Sequence, residues 1–181
     1  MLVFRVFPWL EGVQRGRSGH PLFVPTPQGS GRVDNPGHYL TLYVSDAASG
    51  AVAEAFGNHS VWTDDLISGP PMLPRSVRAL ATYELEGTPV LDLDDCGTLG
   101  PREMRPSNVV TRDRTLTQAW ALRIHQESRW AGVRWWSFYD PDWGSFGLWD
   151  IAGLKVKEVE PLRRDHQAVT DAATALSREW R

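Results

Sequence analysis

Cysteine is nearly absent from this chain: Cys96 is the only one in 181 residues. A single thiol excludes an intramolecular disulfide framework, so the fold must be held by its core, and such usage suits a reducing cytoplasm. A large excess of either charge is also missing. The net charge is −3 and Lys and Arg are scattered without a basic run, so the chain lacks the electrostatic footprint of a nucleic-acid binder and any DNA contact would fall to a partner. Long apolar runs are missing too. The opening MLVFRVFPWL is too short and too polar-flanked for a secretory signal or a membrane span. The five histidines are dispersed and none lies near Asp92, Asp94, Asp95 and Cys96. With Leu91 and Leu93 between them, those aspartates read as a strand end with solvated carboxylates, and no metal site is expected. No internal repeat is present.

What is present suffices for one core. With 41% hydrophobic residues in 181, the chain has the size and composition of a single domain spanning 1–181. β-Formers mark strands at LVFRVF, at Tyr39–Val44, and near 77–85, 88–94, 132–139 and 153–159. Helical signals cover Ala47–Phe56, residues near 115–128, with Trp120 and Ile124 on an apolar side, and a C-terminal segment near 165–179. Residues 58–76, with Gly69-Pro70-Pro71 and Pro74, form a long irregular connection that either covers a site or packs on the surface. Asp140, Asp142 and Asp150 suit turns. This mix of elements predicts an α+β domain with a mixed or antiparallel sheet and flanking helices.

The richest stretch is Gly29–Phe56. Arg32 lies in a Gly/Ser-rich turn, Tyr43 in a strand, and Glu54 on the following helix, for which Asp46 is the expected N-cap and Gly57-Asn58 the stop. At 100° per residue Val52, Phe56, Ala55 and Ala48 share one face, whereas Glu54 lies with Ala47, Gly50 and Ala51. A lone carboxylate among small side chains suggests close packing around it. Chemically, the guanidinium fork can grip a phosphate or pyrophosphate. The phenol can stack on a flat ring or bond a sugar hydroxyl, and the carboxylate can stabilise positive charge at an anomeric carbon. An Arg–Glu ion pair beside a core tyrosine accounts for the same spacing without any ligand.

Four segments in order, GSGRVDNPG from Gly29, LTLYVSDAASGAVAEAF from Leu40, VLDLDD from Val90 and AGVRWWSFYDP from Ala131, resemble the RES domain family, whose fold is similar to that of ADP-ribosyltransferases. The likeness runs from about Arg5 to Trp149. It implies that Arg32, Tyr43, Glu54 and Ser137 occupy the family's catalytic positions, with Arg5 as a second phosphate contact. It further implies cleavage of the nicotinamide–ribose bond of NAD⁺, a substrate and not a resident cofactor, by water or with inorganic phosphate as co-substrate. The best-known members of that family are toxins neutralised by a helix-turn-helix antitoxin of Xre type, and a minority resemble protein ADP-ribosyltransferases. Two departures stand out: Val33 replaces the aromatic residue that usually follows the arginine, and Asn35-Pro36 comes one place late, lengthening the Arg32–Tyr43 spacing by one.

Trp130, Trp135, Trp136, Trp143 and Trp149 hold five of the nine tryptophans. Strand alternation sends Trp135 and Ser137 to one face and Trp136 and Phe138 to the other. Most are expected in packing, with one bordering a pocket. An aromatic carbohydrate- or partner-binding module is the alternative from a different class. His38, between Arg32 and Tyr43, is expected in an exposed loop.

Overall fold

The computed structural model describes residues 1–181. Seven strands build one sheet: β1 (Leu2–Trp9), β2 (Leu42–Ser45), β3 (Val77–Leu85), β4 (Val90–Asp92), β5 (Gly132–Trp136), β6 (Gly144–Leu148) and β7 (Leu154–Pro161), in the spatial order β4-β5-β6-β2-β1-β3-β7. Only β4 and β5 run parallel. With helices α1 (Ala48–Phe56), α2 (Cys96–Leu99), α3 (Pro106–Val109), α4 (Arg114–Gln126) and α5 (Gln167–Ala175), the domain is α+β around a mixed sheet. No helix is long and apolar enough to cross a membrane.

Alternation along β1 divides its side chains between two cores. Val3 and Phe7 join Leu42, Val44, Tyr83 and Phe146, whereas Phe4 and Val6 pack with Val52 and Phe56 of α1 and Val169 of α5. A third core forms where Trp120 and Ile124 of α4 meet Leu91, Leu93, Val133 and Trp135.

Several local expectations give way to tertiary contacts. β2 begins at Leu42 because Asn35–Tyr39 close their own bridge, and the Tyr39 hydroxyl donates to Val33 O at 2.8 Å. Asp46 does not cap α1. Ala47 holds that position without a side-chain bond, and Asp46 instead accepts from Gly144 N at 2.6 Å and pairs with Arg134 at 3.2 Å. α4 starts earlier than expected because Asp113 accepts from Leu116 N. α5 is shorter than 165–179, capped by His166 and ending at Ala175. Asp92 and Asp94 are not merely solvated; Arg134 bridges them at 3.2 and 2.7 Å. The connection over 58–76 is a packed element, with Trp62 fully buried against Phe56 and Trp180.

At the C-terminal end of α4, Glu127 accepts from Arg102 Nε (2.8 Å) and Nη2 (2.7 Å), from Arg129 Nε (3.0 Å) and from Trp130 Nε1 (2.7 Å). Hydrogen bonding from Arg102 is the main cause that draws its carboxyl down to about 2. Because the folded value lies below the unfolded one, this contribution is complete above about pH 5 and fades as the pH falls from about 4.5 toward 2. Glu127→Gln should cost about 1 kcal/mol at pH 7. In thermal melts across pH, the gap to the unaltered protein should close below pH 4; a gap unchanged at pH 3 would rule out the ionic contribution.

Candidate active site

A cavity of about 560 Å³ borders all three cores, a volume typical of small-molecule sites. Phe4 and Val6 of β1, Tyr43 and Val44 of β2, Ala51 and Glu54 of α1, Trp135 of β5 and Ser145 of β6 reach it. Two loops complete its wall: the turn bearing Gly31 and Arg32, and the α3–α4 connection bearing Arg112.

Glu54 stands on the open face of α1 and is exposed toward the cavity, so the small neighbours leave room around it and do not bury it. Its Oε1 accepts from Ser137 Oγ at 2.7 Å and Ser145 Oγ at 3.2 Å. No cation pairs with it, and Oε2 remains free for a ligand. Ser137 is only 3% exposed and lies behind the carboxylate, not on the cavity wall. Ser145, which no sequence motif indicated, is the serine that faces the cavity.

Arg32 is anchored by its own fold. Its Nη1 donates to Val109 O at 2.6 Å and Thr111 O at 2.8 Å, and the guanidinium lies 5.8 Å over the Trp135 ring. The Arg32–Glu54 ion pair conceivable from spacing alone does not form. Burial, followed by repulsion from Arg114, lowers Arg32 to about 10, so it stays charged at neutral pH. A site that holds guanidinium groups against one another favours an anion that relieves the repulsion.

Tyr43 lines the cavity, but its hydroxyl is engaged. It donates to Asp34 Oδ1 at 2.6 Å and accepts from Val33 N at 3.1 Å. Burial and the Asp34 contact raise its pKa well above the ordinary phenol value. Asp34 is 4% exposed and also accepts from Gly29 N (2.9 Å) and Gly31 N (2.7 Å) through Oδ2. A Cβ at Gly31 would collide with the Tyr43 hydroxyl and Asp34, so only glycine lets the Arg32 turn close onto β2. The buried Val33 side chain fits directly against Gly147 of β6.

Arg5 borders the cavity, yet its Nη1 donates to Pro21 O (3.2 Å) and Phe23 O (2.9 Å). It braces the 21–23 loop, and burial lowers its pKa. Arg112, by contrast, has no hydrogen bond or ion pair from the protein and sits 5.0 Å over the ring of Phe138, itself 60% exposed. Phe138 reaches the cavity because β5 ends at Trp136 and strand alternation no longer applies. Trp135 is the tryptophan that borders the site. His38 is exposed and absent from the wall. The lining carries Arg5, Arg32, Arg112 and Arg114 against the single carboxylate of Glu54. Sequence reasoning missed Asp34, Arg112, Arg114 and Ser145; an acid three and five residues after Gly31 and Gly29 was the only local sign of any of them.

A mixed sheet with a helix-borne carboxylate and an arginine-bearing turn at one cavity defines the class of the domain. A family model of the RES domain matches residues 6–171, and the chain belongs to that family. Among solved structures, it is similar to a chain in the crystal structure of the M. tuberculosis MbcT–MbcA toxin–antitoxin complex, with a TM-score of 0.58 and 14% identity over 89% of this chain and 83% of that one. No curated protein matches it.

Proposed function

We propose that this protein cleaves the nicotinamide–ribose bond of NAD⁺ as a glycohydrolase or phosphorylase. The observation that carries the reading is the pairing of one free carboxylate oxygen on Glu54 with an excess of arginines in one cavity. The pyrophosphate lies toward Arg32 and Arg114, and the nicotinamide-side ribose lies at Glu54 with its 2′-hydroxyl donating to Oε2. Tyr43, whose hydroxyl is committed to Asp34, presents its ring to the nicotinamide from the cavity wall. Ser137 and Ser145 hold the carboxylate in place by donating to Oε1.

As the C1′–N bond stretches, its electron pair passes to the pyridinium ring, which leaves as neutral nicotinamide without needing a proton. Positive charge grows on the ribose, and the fixed Glu54 carboxylate stabilises that charge more than it stabilises the ground state. Water or phosphate then attacks C1′. Transfer to a protein side chain differs only in the acceptor. The similarity to the MbcT–MbcA toxin–antitoxin complex also supports a toxin role, with an antitoxin covering the cavity mouth, where Phe138 and Arg112 are exposed. NAD⁺ incubated with purified protein, with and without phosphate, should release nicotinamide together with ADP-ribose or its 1″-phosphate on chromatography. No nicotinamide under either condition would refute the reading.

A further inference from the structure

Asp34 is a buried carboxylate with no cationic partner, and burial of such a charge is costly unless donors satisfy it. Three do: the amides of Gly29 and Gly31 on Oδ2, and the Tyr43 hydroxyl on Oδ1 at 2.6 Å. The last is a short, charge-assisted bond. It fixes the phenol proton away from the ligand and, as a link in a polarised network, pushes electron density from the phenol oxygen into the ring. An electron-rich ring face attracts a flat cation more than a neutral ring of the same shape. Oxidised nicotinamide is such a cation, whereas the reduced dinucleotide carries a neutral dihydropyridine and the released base is neutral.

Resting on the NAD⁺ reading above, we propose that Asp34 is a positioning residue that acts through Tyr43 to make the cavity select the oxidised, pyridinium form of the dinucleotide over the reduced form. The same preference weakens the hold on nicotinamide once the bond has broken, which favours its departure.

Asp34→Asn separates this role from a purely structural one. The amide oxygen can keep the Gly29 and Gly31 bonds while its NH₂ donates to the Tyr43 oxygen, so the turn stays clasped but the polarity of the phenol bond reverses. In the Glu54→Gln background, which suppresses turnover, calorimetric titration with NAD⁺ and NADH gives both affinities. Adding Asp34→Asn should weaken NAD⁺ binding about three-fold, a part of the worth of one cation–π contact because the ring itself remains, and leave NADH binding nearly unchanged. Tyr43→Phe combined with Asp34→Asn, which keeps the ring, ends the polarisation and leaves no buried charge unpaired, should do the same and serves as the second variant. Equal weakening of both ligands in both variants, or no change in either, would overturn the proposal. If the unaltered protein cleaves NAD⁺ yet the preference survives both substitutions, only this inference fails; if it neither binds nor cleaves NAD⁺, the functional reading fails and the inference with it.

Discussion

Glu54→Gln is expected to lower the kcat for nicotinamide release about 100- to 1,000-fold, the loss typical of removing one preorganised electrostatic group. The amide oxygen of Gln can still accept from Ser137 and Ser145, which meet Glu54 at Oε1, so the local geometry and the melting temperature should hold. What disappears is the negative charge that develops its full worth only when the ribose becomes cationic. KM should therefore move little while kcat collapses. Assays of nicotinamide release with saturating NAD⁺, run beside a thermal melt, decide the matter: a folded variant with near-normal kcat would remove Glu54 from the chemistry. Ser137→Ala and Ser145→Ala should each give milder losses, because the carboxylate then keeps its charge but loses one of its two fixed donors.

The second large effect belongs to Arg32, whose Nη1 holds the carbonyls of Val109 and Thr111 and whose Nη2 makes a longer bond to Val110 O at 3.5 Å, so that the Nε edge of the fork is the part without a protein partner. Arg32→Ala should reduce kcat/KM about 100-fold, a loss matching the misplacement of substrate by about an ångström. It should also lower stability by about 1–3 kcal/mol, since two carbonyls lose a charged donor. Arg32→Lys should recover only part of either loss, because an ammonium cannot reproduce the planar fork. Arg112→Ala is the informative contrast: that guanidinium makes no hydrogen bond to the protein, so NAD⁺ affinity should fall several-fold with the melting temperature unchanged. Were Arg32→Ala to melt early yet retain kcat/KM, Arg32 would be a brace for the α3–α4 connection and nothing more.

The order Arg32, Tyr43, Glu54 was legible because a turn, a strand and a helix succeed each other in the chain with only the short Asn35–Tyr39 loop between the first two, and each announces itself by local chemistry. Glycine and serine mark the turn, β-formers the strand and alanines the helix. β6 was not legible. Gly144 and Gly147 weaken any strand signal, and their reason lies elsewhere in the chain: a Cβ at Gly144 would strike Asp46 and Arg134, and one at Gly147 would strike Val33. The same strand supplies Ser145, so the serine on the cavity wall was hidden with it. Asp46 shows the opposite failure. Its local signature is that of a helix cap, but Gly144 N and Arg134 outcompete the α1 amides for its oxygens.

The role of Tyr43 divides in the same way. Its place on a strand beside the arginine turn could be read from order, whereas the direction of its hydroxyl depends on Asp34 folding back through the Gly29–Gly31 turn. By itself the sequence determined a single α+β domain without disulfides and the arginine, tyrosine and glutamate that face one cavity, because those follow from composition and from contacts between neighbouring elements. The strand order, the burial of Ser137 behind Glu54, the free Arg112 at the mouth and the committed hydroxyl of Tyr43 emerge only from the folded chain. The sheet order and the Ser137–Glu54 contact join residues far apart in the chain, and the Tyr43–Asp34 bond depends on how a turn folds back; no local propensity encodes which donor or acceptor a side chain will meet.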